Sequence, residues 1–326
     1  AQLFGETAVS YSVASWSGLF NRTLFQWDNE ILSKIPLEIS QLSQLVELDH
    51  GFQGLRAPFA QRWPALKEIP WYPAVGDGAA ANIGSGCINH NQVAISMGTS
   101  SAVRVVIPDN ILPVPSGLWA YCVDRQLDLV GGALSEGGSL YAWLVSVLNL
   151  TKYHDLEVSL AKLPPAGHRL TLLPLLAGER SPRWRGDARG MISGITIATT
   201  PLEVLRAGME SVIFRIAEIY QLLTPLLATR AHVIASGGAL SNSKLWTQML
   251  SDTLGKPVAL SLVQEASARG AALLAQRSLG LVDSLDKFPS PIGGILEPNL
   301  AAHKLYLAAM QEQRNLYEKV YIERRL

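Results

Sequence analysis

Two short stretches of the sequence hold the residue types that phosphoryl transfer needs. The first is Asp77, set between Gly76 and Gly78 at the head of a helical run of small residues. A carboxylate there can accept the proton of an attacking hydroxyl. The second is Gly98-Thr99-Ser100, a hydroxyl-bearing turn that closes a β-rich segment at 92–97. Backbone N–H groups and Thr/Ser hydroxyls in such a turn can hold phosphate oxygens. Neither is specific alone, because an Asp between glycines is commonly a turn or N-cap residue and Gly-Thr-Ser turns occur in ordinary hairpins.

Further glycine-bearing turns add to these two. Ser236-Gly237-Gly238-Ala239 sits between a strand and a helix, with Ser241, Asn242 and Ser243 as cap candidates. Its glycines would let a planar ring or a phosphate approach the backbone, and Asn242 could bond a nucleotide base; an ordinary strand-to-helix turn is the competing account. The run 131–139, which includes Gly138, permits the same two readings. The charged loop 178–185 either borders a substrate cleft or is a solvated surface of mutually paired charges.

Composition narrows the class. The 326 residues correspond to roughly two domains. With 48% hydrophobic and 17% charged residues the chain can bury a sizeable core. The 27 basic and 27 acidic residues balance, giving no support to a nucleic-acid groove or a membrane-surface role. No apolar run approaches the ~20 residues of a membrane span. Two cysteines, Cys87 and Cys122, fit a reducing cytoplasm better than a disulfide framework, and six scattered histidines have no metal-ligand spacing, so no metal residues are assigned.

The elements that must position these residues follow from periodicity and turn chemistry. Residues 92–97 and 102–107 read as one hairpin, 118–123 and 126–130 as another turning at Asp124-Arg125, and 169–176 as a further strand. Thr200-Pro201-Leu202-Glu203 is a capping-box pattern, after which Leu205, Met209, Val212, Ile216, Ile219 and Leu223 recur at helical spacing. Strands at 232–235 and 256–260 alternate with helices at 243–254, 266–279 and 300–322, and a helix is also expected near 29–34. Antiparallel strands followed by alternating helices and strands give an α/β sandwich with a mixed sheet.

The order of these features resembles the carboxyl-terminal part of the FGGY carbohydrate kinases over nearly the whole chain. The stretch from Arg189 to Glu210 is similar to that family's second signature, with Gly208 where a slightly larger residue is usual. The gluconokinase-like branch is nearest, through Tyr11-Ser12, Ala14-Ser15, Gly18-Leu19-Phe20-Asn21, Gly76-Asp77-Gly78-Ala79 with Asn82 and Gly84, and Gly98-Thr99-Ser100 with Arg104. Ser10 stands where many relatives have Asp.

The resemblance implies a ribonuclease H-like (actin-like ATPase) domain, with a mixed sheet flanked by helices, preceded by the remnant of a second such domain. Residues 1–88 would be the incomplete end of the amino-terminal, sugar-binding domain, and 89–326 the nucleotide-binding domain. ATP and Mg²⁺ would be the cofactors and a sugar or sugar acid, first of all gluconate, the acceptor. Asp77 would be the general base; Gly98, Thr99 and Ser100 would meet the phosphates; Gly138, Gly238, Ala239 and Asn242 would line the nucleotide pocket. Xylulokinase-like activity and a catalytically inactive nucleotide-binding or interaction protein are the alternatives. The family's first phosphate loop, of Asp-x-Gly-Thr type, lies in the portion the chain lacks. Little turnover is therefore expected of the chain as given, together with self-association through uncovered apolar surface.

Overall fold

The computed structural model describes residues 1–108 and 113–323. Its centre is a seven-stranded mixed sheet of β1 (Gln92–Met97), β2 (Ser101–Pro108), β3 (Trp119–Cys122), β4 (Leu127–Leu134), β5 (His232–Ser236), β6 (Val258–Ser261) and β7 (Ile292–Leu296), in the spatial order β7-β6-β5-β1-β2-β4-β3. β5 runs parallel to β1, with Val233 opposite Val93, and parallel to β6. The remaining pairs are antiparallel, Arg104 of β2 lying opposite both Ala94 and Gly131.

Alternation along the strands sorts the side chains into two layers. Val93, Ile95, Met97, Val103, Val105 and Val130 face one side. There they pack on the helix Pro201–Leu223, with Lys244–Leu254 and Leu300–Tyr321 outside it. Ala94, Val106 and Leu129 face the other side, toward the helices Asp77–Gly84 and Ala266–Ser278. These five helices, with Gly138–Val147, are called α3, α4, α6, α1, α5 and α2, numbered along the chain.

The capping pattern at Thr200 forms as expected. Glu203 N–H donates to Thr200 Oγ1 at 3.3 Å and Thr200 N–H to Glu203 Oε2 at 2.8 Å, with Pro201 at the first helical position. α3 is buried around nearly its whole circumference, so its charged residues pair inside the protein: Arg206 with Glu210, and Arg215 with Glu218.

Four departures from the expected strands have causes in the chain itself. The strand expected at 169–176 shrinks to Thr171–Leu173 and pairs with Met191–Ser193 in a separate two-stranded sheet. Arg169 (φ 58°) and Gly194 (φ 86°) are in the left-handed region at its ends. The strand expected from 256 begins at Val258, because Gly255 (φ 63°) and Lys256 still bond back to Ser251 O at the end of α4. The glycine-rich run 131–139 is strand through Leu134; a Cβ on Gly131 would lie 2.4 Å from Val103 O. β7 escapes the sequence reading because Gly293 and Gly294 interrupt its β-formers.

In the first 76 residues a strand Ala8–Ser10 pairs parallel with Gln44–Val46, followed by a one-turn helix Tyr11–Ala14 and a short helix Asn29–Leu32 near the expected 29–34. Among the described residues no helix is long and apolar enough to cross a membrane.

Candidate active site

β1 and β5 are parallel neighbours, so the turns that follow them, Gly98-Thr99-Ser100 and Gly237-Gly238-Ala239, emerge at the same edge of the sheet. β4 ends there too, since Leu134 pairs with Ser101. The turn after β1 is fastened to the one after β4. Gly138 N–H donates to Gly98 O at 2.7 Å and Ser139 N–H to Thr99 O at 3.2 Å. Glycine is required where they meet: Gly237 has φ 92°, and a Cβ on it would lie 2.5 Å from Met97 O.

A cavity of about 760 Å³ opens at this junction. Gly98, Thr99, Gly138, Gly238, Ala239 and Asn242 form one wall, and Tyr141, Glu157, Met209 and Trp246 contribute to the other. Gly138 shapes this wall and does not offer its N–H, which Gly98 O already accepts. Ser100, next in the turn, is outside the lining; its carbonyl accepts Gly98 N–H at 3.0 Å. Glu157 fixes the far wall by accepting Leu245 N–H at 2.8 Å and the Ser243 hydroxyl at 2.9 Å. Trp246 Nε1–H donates to Met209 O at 3.0 Å, and its ring centre is 5.9 Å from that of Tyr141. Burial raises the Tyr141 phenol above its usual range, with Glu157 adding to the rise. Two aromatic rings opposite a glycine-lined, hydroxyl-bearing wall suit a planar base carrying phosphates.

Asp77 lies outside this cavity, exposed at the first position of α1, with Oδ1 accepting Gly78 N–H at 2.6 Å. The approach to it is pinned from the amino-terminal part. Ser10 Oγ donates to Ala74 O at 2.5 Å, and Gly76 N–H donates to Ser12 Oγ at 3.1 Å. Ser10 also caps the Tyr11–Ala14 turn by accepting Val13 N–H at 3.1 Å. The Trp16 ring covers Gly76 so closely that a Cβ there would be 2.6 Å from Cζ2, yet Trp16 is 44% exposed.

Arg104 links the two parts. It rises from β2 toward α1, and its Nη1 donates to Ser96 Oγ at 3.2 Å, two residues before the Gly98 turn. Burial lowers the Arg104 guanidinium from its usual range; Asp77 opposes that fall and Arg180 adds to it.

The charges of loop 178–185 are paired, but not on a solvated surface. Glu179 is buried and takes Arg215 and the Tyr317 hydroxyl, while Arg183 bonds Glu218 at 2.6 Å. The loop docks on the sheet through Ser181, whose N–H donates to Ala133 O at 3.0 Å. Arg180 is left exposed.

Sequence reasoning missed Trp16, Tyr141, Glu157 and Trp246. Ser243, three residues before Trp246, gave a usable signal, since an N-cap at 243 puts Trp246 in the first turn of α4 beside the Gly238 turn. Glu157 gave none, because it reaches α4 from a separate short helix, Leu156–Ala161.

Comparison with known proteins places the chain among carbohydrate kinases. The chain is 28% identical over 303 residues to gluconokinase of Bacillus subtilis, an alignment covering 90% of this chain and 59% of that protein. It is 30% identical over 281 residues to glycerol kinase of Coxiella burnetii, covering 84% and 54%. The chain thus spans less than two thirds of the length of these curated relatives. Crystal structures of a ligand-bound xylulose kinase and a gluconate kinase, both from Lactobacillus acidophilus, superpose with TM-scores of 0.91 and 0.90 at 23% identity. Each covers 98–99% of this chain and 66% of the other, which identifies the actin-like ATPase fold. Residues 93–279, more than half of the chain, match the carboxyl-terminal domain of the FGGY family of carbohydrate kinases, and the chain belongs to that family.

Proposed function

We propose that this chain supplies the nucleotide-binding part and the catalytic carboxylate of an ATP-dependent kinase that phosphorylates a hydroxyl of a sugar acid, with gluconate the first candidate. In this reading residues 1–88 end the sugar-binding domain and 89–326 form the nucleotide-binding domain. The observation that carries it is the convergence of Gly98, Thr99, Gly138, Gly238, Ala239 and Asn242 on one cavity, with Asp77 joined to that edge through Arg104 and Ser96.

The cavity fits ATP in kind: aromatic side chains for the base, and glycine turns that admit phosphates without a Cβ in the way. Bound there, MgATP supplies the electrophilic γ-phosphorus. Tyr141 and Trp246 hold the base, and Thr99 contacts the phosphate chain. Asp77 takes the proton of the acceptor hydroxyl as its oxygen bonds to phosphorus and the β–γ bridging bond breaks, releasing ADP. Its exposed position at the head of α1 leaves room for a hydroxyl to approach, and the helix dipole favours its charge.

The test is ADP release by the product of the longest reading frame that contains this chain, with gluconate, xylulose and glycerol as acceptors. Gluconate-dependent turnover that falls about 10²–10⁴-fold in Asp77→Asn is the expected result. No acceptor-dependent turnover, or an Asp77→Asn rate equal to that of the unaltered protein, defeats the reading.

A further inference from the structure

Buried arginines elsewhere in this chain are matched by acids: Arg206 by Glu210, and Arg215 by Glu179 and Glu218. The two arginines near Asp77 are not. Arg104 Nη1 bonds the Ser96 hydroxyl, and its buried Nε has no partner among the described residues. A guanidinium has five N–H donors, and the Ser96 hydroxyl takes one of those on Arg104. Arg180 is exposed on a loop fixed to β4 through Ser181, within electrostatic reach of Arg104. Asp77 is the one acid acting appreciably on Arg104 among the described residues. Two positive charges beside one negative charge leave this end of the site with surplus positive charge and unfilled donors.

We propose that Arg104 and Arg180 select an anionic acceptor, binding the carboxylate of a sugar acid while Asp77 faces the hydroxyl to be phosphorylated. This rests on the reading of Asp77 as the base of a sugar kinase. A carboxylate fills the donor fork of a guanidinium in a bidentate pair and cancels charge. A neutral polyol of the same length presents only hydroxyls, and the surplus charge stays uncompensated. Arg104 is oriented by Ser96 and by the close packing of α1, since its Nε would lie 3.5 Å from a Cβ on Gly78. The fork is therefore held in place before the acceptor arrives.

The experiment compares gluconate with glucitol, which carries CH₂OH in place of the carboxylate, on the product of the longest reading frame. The unaltered protein is expected to prefer gluconate by about 10–100-fold in kcat/KM. Arg180→Gln should remove most of that preference by raising KM for gluconate, with constants for glucitol held within about twofold. Arg104→Gln should raise KM for gluconate by a larger factor than KM for glucitol. Arg104→Lys, which keeps the charge without the fork, should retain part of the preference. Equal losses on both acceptors would overturn the proposal and assign Arg104 to the phosphoryl group or to Asp77. Calorimetric titration with gluconate in the absence of ATP reads the carboxylate contact apart from catalysis. Loss of gluconate binding in Arg180→Gln, a surface change, supports the proposal; equal affinity of the unaltered protein for gluconate and glucitol overturns it. Binding of gluconate through both arginines without turnover of any acceptor would sink the kinase reading while upholding the carboxylate contact alone.

Discussion

Gly84 and Gly270 are the points at which α1 and α5 touch backbone to backbone. A Cβ on Gly84 would lie 1.8 Å from Ala266 O, and one on Gly270 would lie 1.8 Å from Ala80 O. Arg269 fastens the crossing by donating to Gly84 O and, at 2.9 Å, to Phe288 O. The carboxylate of Asp77 is thus located by a contact at the opposite end of its own helix.

Gly270→Val is accordingly expected to force α1 off the sheet. Overpacking typically costs about 1–3 kcal/mol, and a clash with backbone falls at the upper end because no flexible side chain can yield. Denaturant unfolding measures the loss. The prediction fails if both the midpoint and the acceptor-dependent turnover are unchanged.

Trp16 suggests a second measurement. Its ring rests on Gly76, next to Asp77, and stays 44% exposed although the Tyr121 ring lies 5.3 Å away, tilted by 39°. An aromatic face beside the carboxylate proposed as the base can cover the C–H face of a polyol. Trp16→Ala should raise KM for the acceptor about tenfold and leave KM for ATP within about twofold; an equal rise in both constants would mean that Trp16 only supports the fold.

The sequence made the skeleton of this site readable because its parts are local. Thr200 with Glu203, Ser243 with Trp246, and the turn at Gly98 each act within a few residues, and each formed as the residue types required. What stayed hidden depends on contacts between distant segments. Glu157 meets Leu245 across 88 residues, and Arg215 meets Glu179 across 36, so neither pairing leaves a local pattern. β7 was hidden for a different reason, since its two glycines carry no strand preference and only pairing with β6 defines it.

Cys87 gives a probe of the fold. It is fully buried beside Ala94, Ile234 and Ala259, and burial pushes its thiol up to about 12. Since the thiolate is the reactive form, alkylation at pH 8 should be slow in the native protein and speed up on denaturation. Rapid native-state labelling at Cys87, located by peptide mass, would contradict the packing of the sheet against α1.

The acid groups under loop 178–185 set a pH dependence whose sign is fixed. Burial by itself raises the Glu218 carboxyl, but Arg215 and Arg183 outweigh it and hold the group below the usual carboxylate range. A depressed folded-state value means that the group contributes stability above its unfolded pKa of about 4.3, and that this contribution is lost as pH falls through the folded value. Glu218→Gln should therefore lower stability at pH 7 and flatten its decline below about pH 5. Glu179→Ala should cost more, about 3–5 kcal/mol, because it leaves the buried Arg215 with Glu218 as its one acid and removes the acceptor of the Tyr317 hydroxyl. Urea unfolding of both variants across pH 3–8 decides the matter: parallel curves for Glu218→Gln and the unaltered protein would show that the pairing with Arg215 and Arg183 does not govern the acid limb.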